Sequence, residues 1–122
     1  MKTKSDPRHQ ERRKIIKKLF SYSFTPAKKD RKIKKILENL KEIDGQIKIA
    51  APQFPIKQLN KVDLAILRLA IFELLVEKKE PIKVIIDEAI ELSKEFGREK
   101  SPQFINGVLG TIMKKTTSTA NV

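Results

Sequence analysis

Apolar residues recur along this chain at helical spacing. Ile15, Ile16, Leu19 and Phe20 fall at i, i+1, i+4 and i+5, with Arg13, Lys14, Lys17 and Lys18 on the opposite side. This pattern predicts an amphipathic helix from Arg8 to about Phe24. After a break at "TPAKKD", Ile33, Ile36, Leu37, Leu40, Ile43 and Ile47 repeat at spacings of 3, 1, 3, 3 and 4, which predicts one long helix over about 28–50. Gly45 weakens that helix without ending it. "APQFP" (51–55) ends it, because proline cannot continue the hydrogen-bond ladder.

The run "VDLAILRLAIFELLV" is apolar almost all round from about Asn60 to Glu77, as expected of a central, buried helix. No turn residue divides it into two strands. "PIKVIIDEAIELSKEF" carries its apolar set at Ile82, Ile85, Ile86, Ala89, Ile90, Leu92 and Phe96. Pro81 suits its first turn, and Gly97 the position just past its end. In "SPQFINGVLG", Ser101 reads as an N-cap and Pro102 as the first helical residue. Asn106-Gly107 is a hairpin dipeptide. However, Ile105, Val108, Leu109 and Ile112 repeat at spacings of 3, 1 and 3, so the pair lies inside a last helix. Gly107 and Gly110 are then expected to let helices approach closely. The fold class is all-α, with about five helices joined by short links. The domain is expected over 8–115, between a polar, disordered basic tail at 1–7 and a polar tail at 116–122.

Composition narrows the chemistry. The 122 residues suit one domain with a modest core. There is no cysteine and one histidine, His9, expected to be solvated. Metal catalysis and Ser/His or Cys/His nucleophilic chemistry have very little support, and no cofactor is expected. Asp87, Glu88 and Glu91 read as a polar face and ion-pair partners, not as an acid–base pair. No apolar run approaches the ~18 residues of a membrane span, and the basic N-terminus lacks the continuous apolar stretch of a signal peptide. The expected location is the cytoplasm.

Charge is the strongest functional signal. The first 35 residues hold 14 Lys and Arg against 3 Asp and Glu, whereas residues 36–122 hold 13 against 12. A polyanion partner is the functional reading and a solubilising tail the plain one.

"VDLAILRLAIFELL", "EPIKVIIDEAIELSKEFG" and "SPQFINGVLG", in that order and at short spacings, resemble the C-terminal half of the NusB family of bacterial transcription antitermination factors. "RRKIIKKLFSYSF" resembles the family's first helix, although the connection after it, "TPAKKD", is shorter than usual. The resemblance implies five to six helices in two packed subdomains. It also implies binding to boxA-type single-stranded RNA of ribosomal RNA leaders together with the ribosomal protein NusE, acting indirectly on the RNA polymerase elongation complex.

Single-stranded RNA is held by cations on phosphates and by aromatic faces on bases. Arg8, Arg12, Arg13, Lys14 and Lys17 are the candidate phosphate contacts, against a plain solvated face. Phe20 and Phe104 are the candidate stacking residues. Spacing alone favours core packing for both, and the resemblance places the matching aromatics on the RNA surface. Asn106 either contacts RNA or holds neighbouring backbone. The resemblance also puts Glu73 near the partner surface. Arg68, inside the apolar helix, needs an acid such as Glu88 or Glu91. Two rival readings remain. One is a domain related to that of ribosomal RNA cytosine methyltransferases; with no glycine-rich cofactor loop and no room for a second domain, no enzyme is expected. The other is an adaptor that binds protein only.

Overall fold

The computed structural model describes residues 6–26 and 30–120. Six α-helices follow one another, and no strand occurs among the described residues. Helix α1 spans Pro7–Phe24. Asp6 caps it, accepting a hydrogen bond from the Arg8 N–H at 2.8 Å, and Pro7 takes the first turn, where a missing N–H costs nothing. Residues 1–5 of the expected N-terminal tail lie outside the described residues.

The single helix expected over 28–50 is two helices, α2 (Lys34–Glu38) and α3 (Leu40–Ala50). The break falls at Asn39, whose backbone leaves helical geometry (φ −107°, ψ 11°). The Asn39 Nδ2 donates to the Lys35 carbonyl at 2.8 Å, the local side-chain competition that makes asparagine a poor interior residue. The apolar period survives because Ile36 and Ile43, on either side of the break, are both buried.

Helix α4 spans Lys61–Phe72 and starts on Asn60, whose Oδ1 accepts from the N–H groups of Val62 and Asp63. Every residue from Asp63 to Phe72 is buried. The helix continues as one π-helical turn, Glu73–Glu77, and closes at Lys78 in the left-handed region (φ 54°). The Lys78 N–H donates back to the Glu73 carbonyl at 2.8 Å. Helix α5 (Ile82–Phe96) follows Pro81, which caps it and does not belong to its first turn.

Helix α6 spans Ser101–Ala120, so the helical pattern read in "SPQFINGVLG" is correct. Its first helical hydrogen bond runs from the Phe104 N–H to the Lys100 carbonyl, which makes Ser101 part of the first turn and not the cap. The Ser101 hydroxyl instead accepts from the Arg98 N–H at 2.9 Å and tightens the α5–α6 turn. Gly97 is required there by space. Its φ of −91° is ordinary, but a Cβ would stand 2.7 Å from the Ser101 side chain and the Ser93 carbonyl. The roles expected for Gly107 and Gly110 are not observed: both are exposed, and a Cβ on either would meet nothing within 4 Å.

Helix α4 is the axis of the fold and packs against α1, α2, α3, α5 and α6. One continuous cluster of buried side chains joins the N-terminal helices to the α4–α6 set, with Leu19, Ile36, Ile47, Ile66, Ile71, Leu92 and Leu109 among its most buried members. Arg12 meets Glu73, and Ile15 shares a cleft wall with Leu69, so α1 runs antiparallel to α4. Arg68 is bound in a fork to Asp44 of α3, at 3.0 and 2.9 Å, and not to Glu88 or Glu91.

Candidate nucleic-acid interface

Apart from Lys18, which pairs with Asp30, the cations of α1 divide into two sets. Arg8, His9, Arg12 and Arg13 occupy positions i, i+1, i+4 and i+5, which turns them toward α5 and the end of α4. Arg12 is buried, 6% exposed. Its Nε and Nη2 grip Glu73 at 2.9 and 2.7 Å, its Nη1 reaches Glu88 at 3.2 Å, and its Nη2 also meets Glu80. Burial opposes the guanidinium charge, but the hydrogen bonds and charges of Glu73 and Glu80 outweigh it and hold the Arg12 pKa above its ordinary value.

His9 is buried as well, contrary to the solvated position expected of it. Its Nδ1 stands 3.0 Å from Glu88 Oε1, and its Nε2 contacts Glu95. With a carboxylate at each ring nitrogen, the site favours the doubly protonated imidazolium of His9 over the neutral ring. Burial pushes its pKa down, and the hydrogen bonds to Glu88 and Glu95 push it up further, leaving it raised. Arg13 pairs with Glu95 at 3.3 Å and lies over the Phe96 ring, 5.4 Å from its centre. Arg8 is exposed and pairs with Glu80 at 2.9 Å.

Two expectations therefore change. Arg12 is enclosed by carboxylates and is not presented to a phosphate. Glu73 is 7% exposed and committed to Arg12, so it is not presented to a partner. Arg8 and Arg13 remain accessible but already hold acids. Four cationic and four acidic side chains meet in this cluster, which is close to neutral. Lys14 and Lys17 form the other set: both are exposed and make no ion pair among the described residues.

The aromatic candidates stand where α4 begins. Phe20 is 38% exposed and meets the edge of Phe24, itself 63% exposed, with ring centres 5.0 Å apart. Arg13 already touches the last turn of α5, and Phe20 lies seven residues, about 10 Å, further along α1. Phe104 is half-buried. It packs on the core and also faces a groove of about 670 Å³ shared with Phe54, Asn60, Asp63, Arg98 and Lys100. Phe54 and Phe104 meet edge to face, ring centres 5.4 Å apart. Asn106 is exposed and its side chain holds no backbone among the described residues.

Sequence reasoning missed Phe54, Arg98 and Lys100. The signal for Phe54 was its place in "APQFP", a proline-bounded connection with no helical face in which to bury a ring. Asp63 lines the same groove. It is buried, and its Oδ1 has no hydrogen-bond partner among the described residues.

The arrangement is that of a small all-α domain built on one central buried helix, with an internal ion cluster between α1, α4 and α5. A sequence model described as "NusB family" matches residues 29–114. The chain belongs to the NusB family. The Transcription antitermination protein NusB of Chloroflexus aggregans is 49% identical over 80 residues, which covers 64% of this chain and 53% of that protein. The chain thus matches about half the length of that relative. The protein of the same name from Thermotoga sp. (strain RQ2) is 39% identical over 130 residues, covering 89% of this chain and 92% of the relative. The solved structure of T. maritima NusB superposes with a TM-score of 0.78 at 38% identity, over 93% of both chains. No helix among the described residues is long and apolar enough to cross a membrane.

Proposed function

We propose that this chain is a transcription antitermination factor that acts without catalysis. It binds boxA-type single-stranded RNA of ribosomal RNA leaders together with the ribosomal protein NusE, and so helps RNA polymerase, in the cytoplasm, to continue through terminators. Family membership supports the reading, since the relatives are named for antitermination. The observation that carries it is the groove in which the exposed Phe54 meets the half-buried Phe104 edge to face, with Arg98 and Lys100 as well as Asp63 and Glu99 in its lining. Rings supply base stacking and the cations supply phosphate contacts, the two parts a single-strand site needs. Phe20 and Phe24, exposed and paired edge to face on α1, offer further rings to the RNA.

The test is an electrophoretic mobility shift with a boxA RNA, with and without NusE. Phe104→Ala is expected to weaken binding by ~1–3 kcal/mol, the worth of one stacked base. Because Phe104 also touches the core, Phe104→Leu is measured beside it. Leucine keeps most of the packing and loses the ring, so it too should bind weakly. Absence of binding by the parent protein, alone and with NusE, overturns the proposal.

A further inference from the structure

The net charge of the chain does not reside where its arginines are densest. Arg8, His9, Arg12 and Arg13 are matched by Glu73, Glu80, Glu88 and Glu95. In the N-terminal third, the exposed cations without an ion pair among the described residues are Lys14, Lys17, Arg31, Lys34 and Lys35.

These five lie on two neighbouring segments, α1 and the stretch that leads through α2. Lys14 and Lys17 are one helical turn apart on the outer side of α1. The turn that leads into α2 is fastened along the flank of α1 by two ion pairs, Lys18 to Asp30 at 2.6 Å and Lys32 to Glu11 at 2.9 Å. Ile33 and Ile36 are buried in the core, and this register turns Arg31, Lys34 and Lys35 outward. Of the acids on these segments, Glu11 and Asp30 are each already held by a lysine, and Glu38 is the last residue of α2. Arg31 and Lys35 also border a cleft with Glu73, Glu77 and Glu80, two of which are taken by Arg8 and Arg12.

We propose that Lys14, Lys17, Arg31, Lys34 and Lys35 are a second RNA contact, a phosphate track that holds RNA flanking the element bound at the aromatic groove, whatever its sequence. The proposal rests on the RNA-binding reading above. The outward positions of Arg31–Lys35 carry cations and no aromatic ring, so their main attraction is to phosphates, which carry no sequence information. They also lack the apolar stripe that a membrane-surface helix needs beside its cations.

The experiment uses fluorescence anisotropy with two RNAs, the boxA element alone and the same element extended by unrelated flanking nucleotides. The full chain is compared with Arg31→Ala/Lys34→Ala/Lys35→Ala, three exposed positions whose replacement should leave the melting temperature unchanged. On the extended RNA, the slope of log affinity against log salt should fall by about 2 in the variant, because each single-strand phosphate that is no longer neutralised takes away about 0.7. On the short RNA, parent and variant should agree, and scrambling the flanks should change nothing. If the parent binds the element but the variant keeps the parent's slope on the extended RNA, the track is refuted while the groove reading stands. If the parent binds neither RNA, the groove reading fails and the track with it.

Discussion

Replacing Arg12 by alanine removes a guanidinium that serves three carboxylates, two of them buried. Glu73 and Glu88 stay behind, both buried. Leaving one partner of a buried ion pair uncompensated costs about 3–5 kcal/mol. For a chain of this length, total stability at about 0.05–0.15 kcal/mol per residue is roughly 6–18 kcal/mol, so the loss is a large fraction. Unfolding entropy of about 2.1 cal/mol/K per residue gives about 0.26 kcal/mol/K for the whole chain, and the melting temperature should fall by about 12–20 °C. Thermal melts followed by far-ultraviolet circular dichroism read this directly. Arg12→Lys should fall in between, because it restores the charge without the fork that grips Glu73. Glu73→Gln combined with Arg12→Ala should lose less than the two single losses added together, since the pair shares one interaction. The reasoning is refuted if Arg12→Ala melts with the parent while its RNA binding loses salt dependence. That result would place Arg12 on a phosphate.

The same melts separate two glycines. Gly107→Ala should gain about 0.5–1 kcal/mol, because the position is helical, exposed and has room for a Cβ; a loss would mean that something packs on it. Gly97→Ala should lose about 1–3 kcal/mol, since its Cβ would meet Ser101 and the Ser93 carbonyl at 2.7 Å; an unchanged melt would show that the turn relaxes freely. His9 makes stability depend on pH. Its folded pKa is raised above the ordinary 6.5, so its contribution is fully present below that value and is lost as pH rises through the folded pKa. The gap in melting temperature between the parent and His9→Gln should therefore narrow from mildly acidic to alkaline pH, and a gap independent of pH contradicts the imidazolium.

Local pattern carried most of the architecture. The period of Ile105, Val108, Leu109 and Ile112 outweighed the hairpin signal of Asn106-Gly107, and α6 is a helix. The unbroken apolar run of α4 marked the axis of the fold. Asn39 was passed over because its neighbours keep the apolar period through the break, and a side chain bonding to its own backbone leaves no trace in that period. The site was less legible. Charge along α1 was counted, but its neutralisation was not, since Arg12 meets Glu73 across 61 residues and His9 meets Glu95 across 86. Nothing in local spacing reports pairing at such range. Arg68 was given a partner of the right chemistry on the wrong helix, for the same reason. Phe104 is legible in the sequence as an aromatic near a helix start, yet the ring beside it, Phe54, is brought there only by the fold.

The long separation between α1 and its carboxylates also has a consequence for synthesis on the ribosome. At about 5–20 residues per second, the 61 residues between Arg12 and Glu73 take roughly 3–12 s to make. Glu80, Glu88 and Glu95 arrive later still. Throughout that interval the first segment leaves the exit tunnel with its cations unmatched and its apolar stripe uncovered. Docking of the first helix is therefore a late event in folding. A nascent chain halted before Glu73 should still expose α1 to proteases, and one extended past Glu95 should protect it.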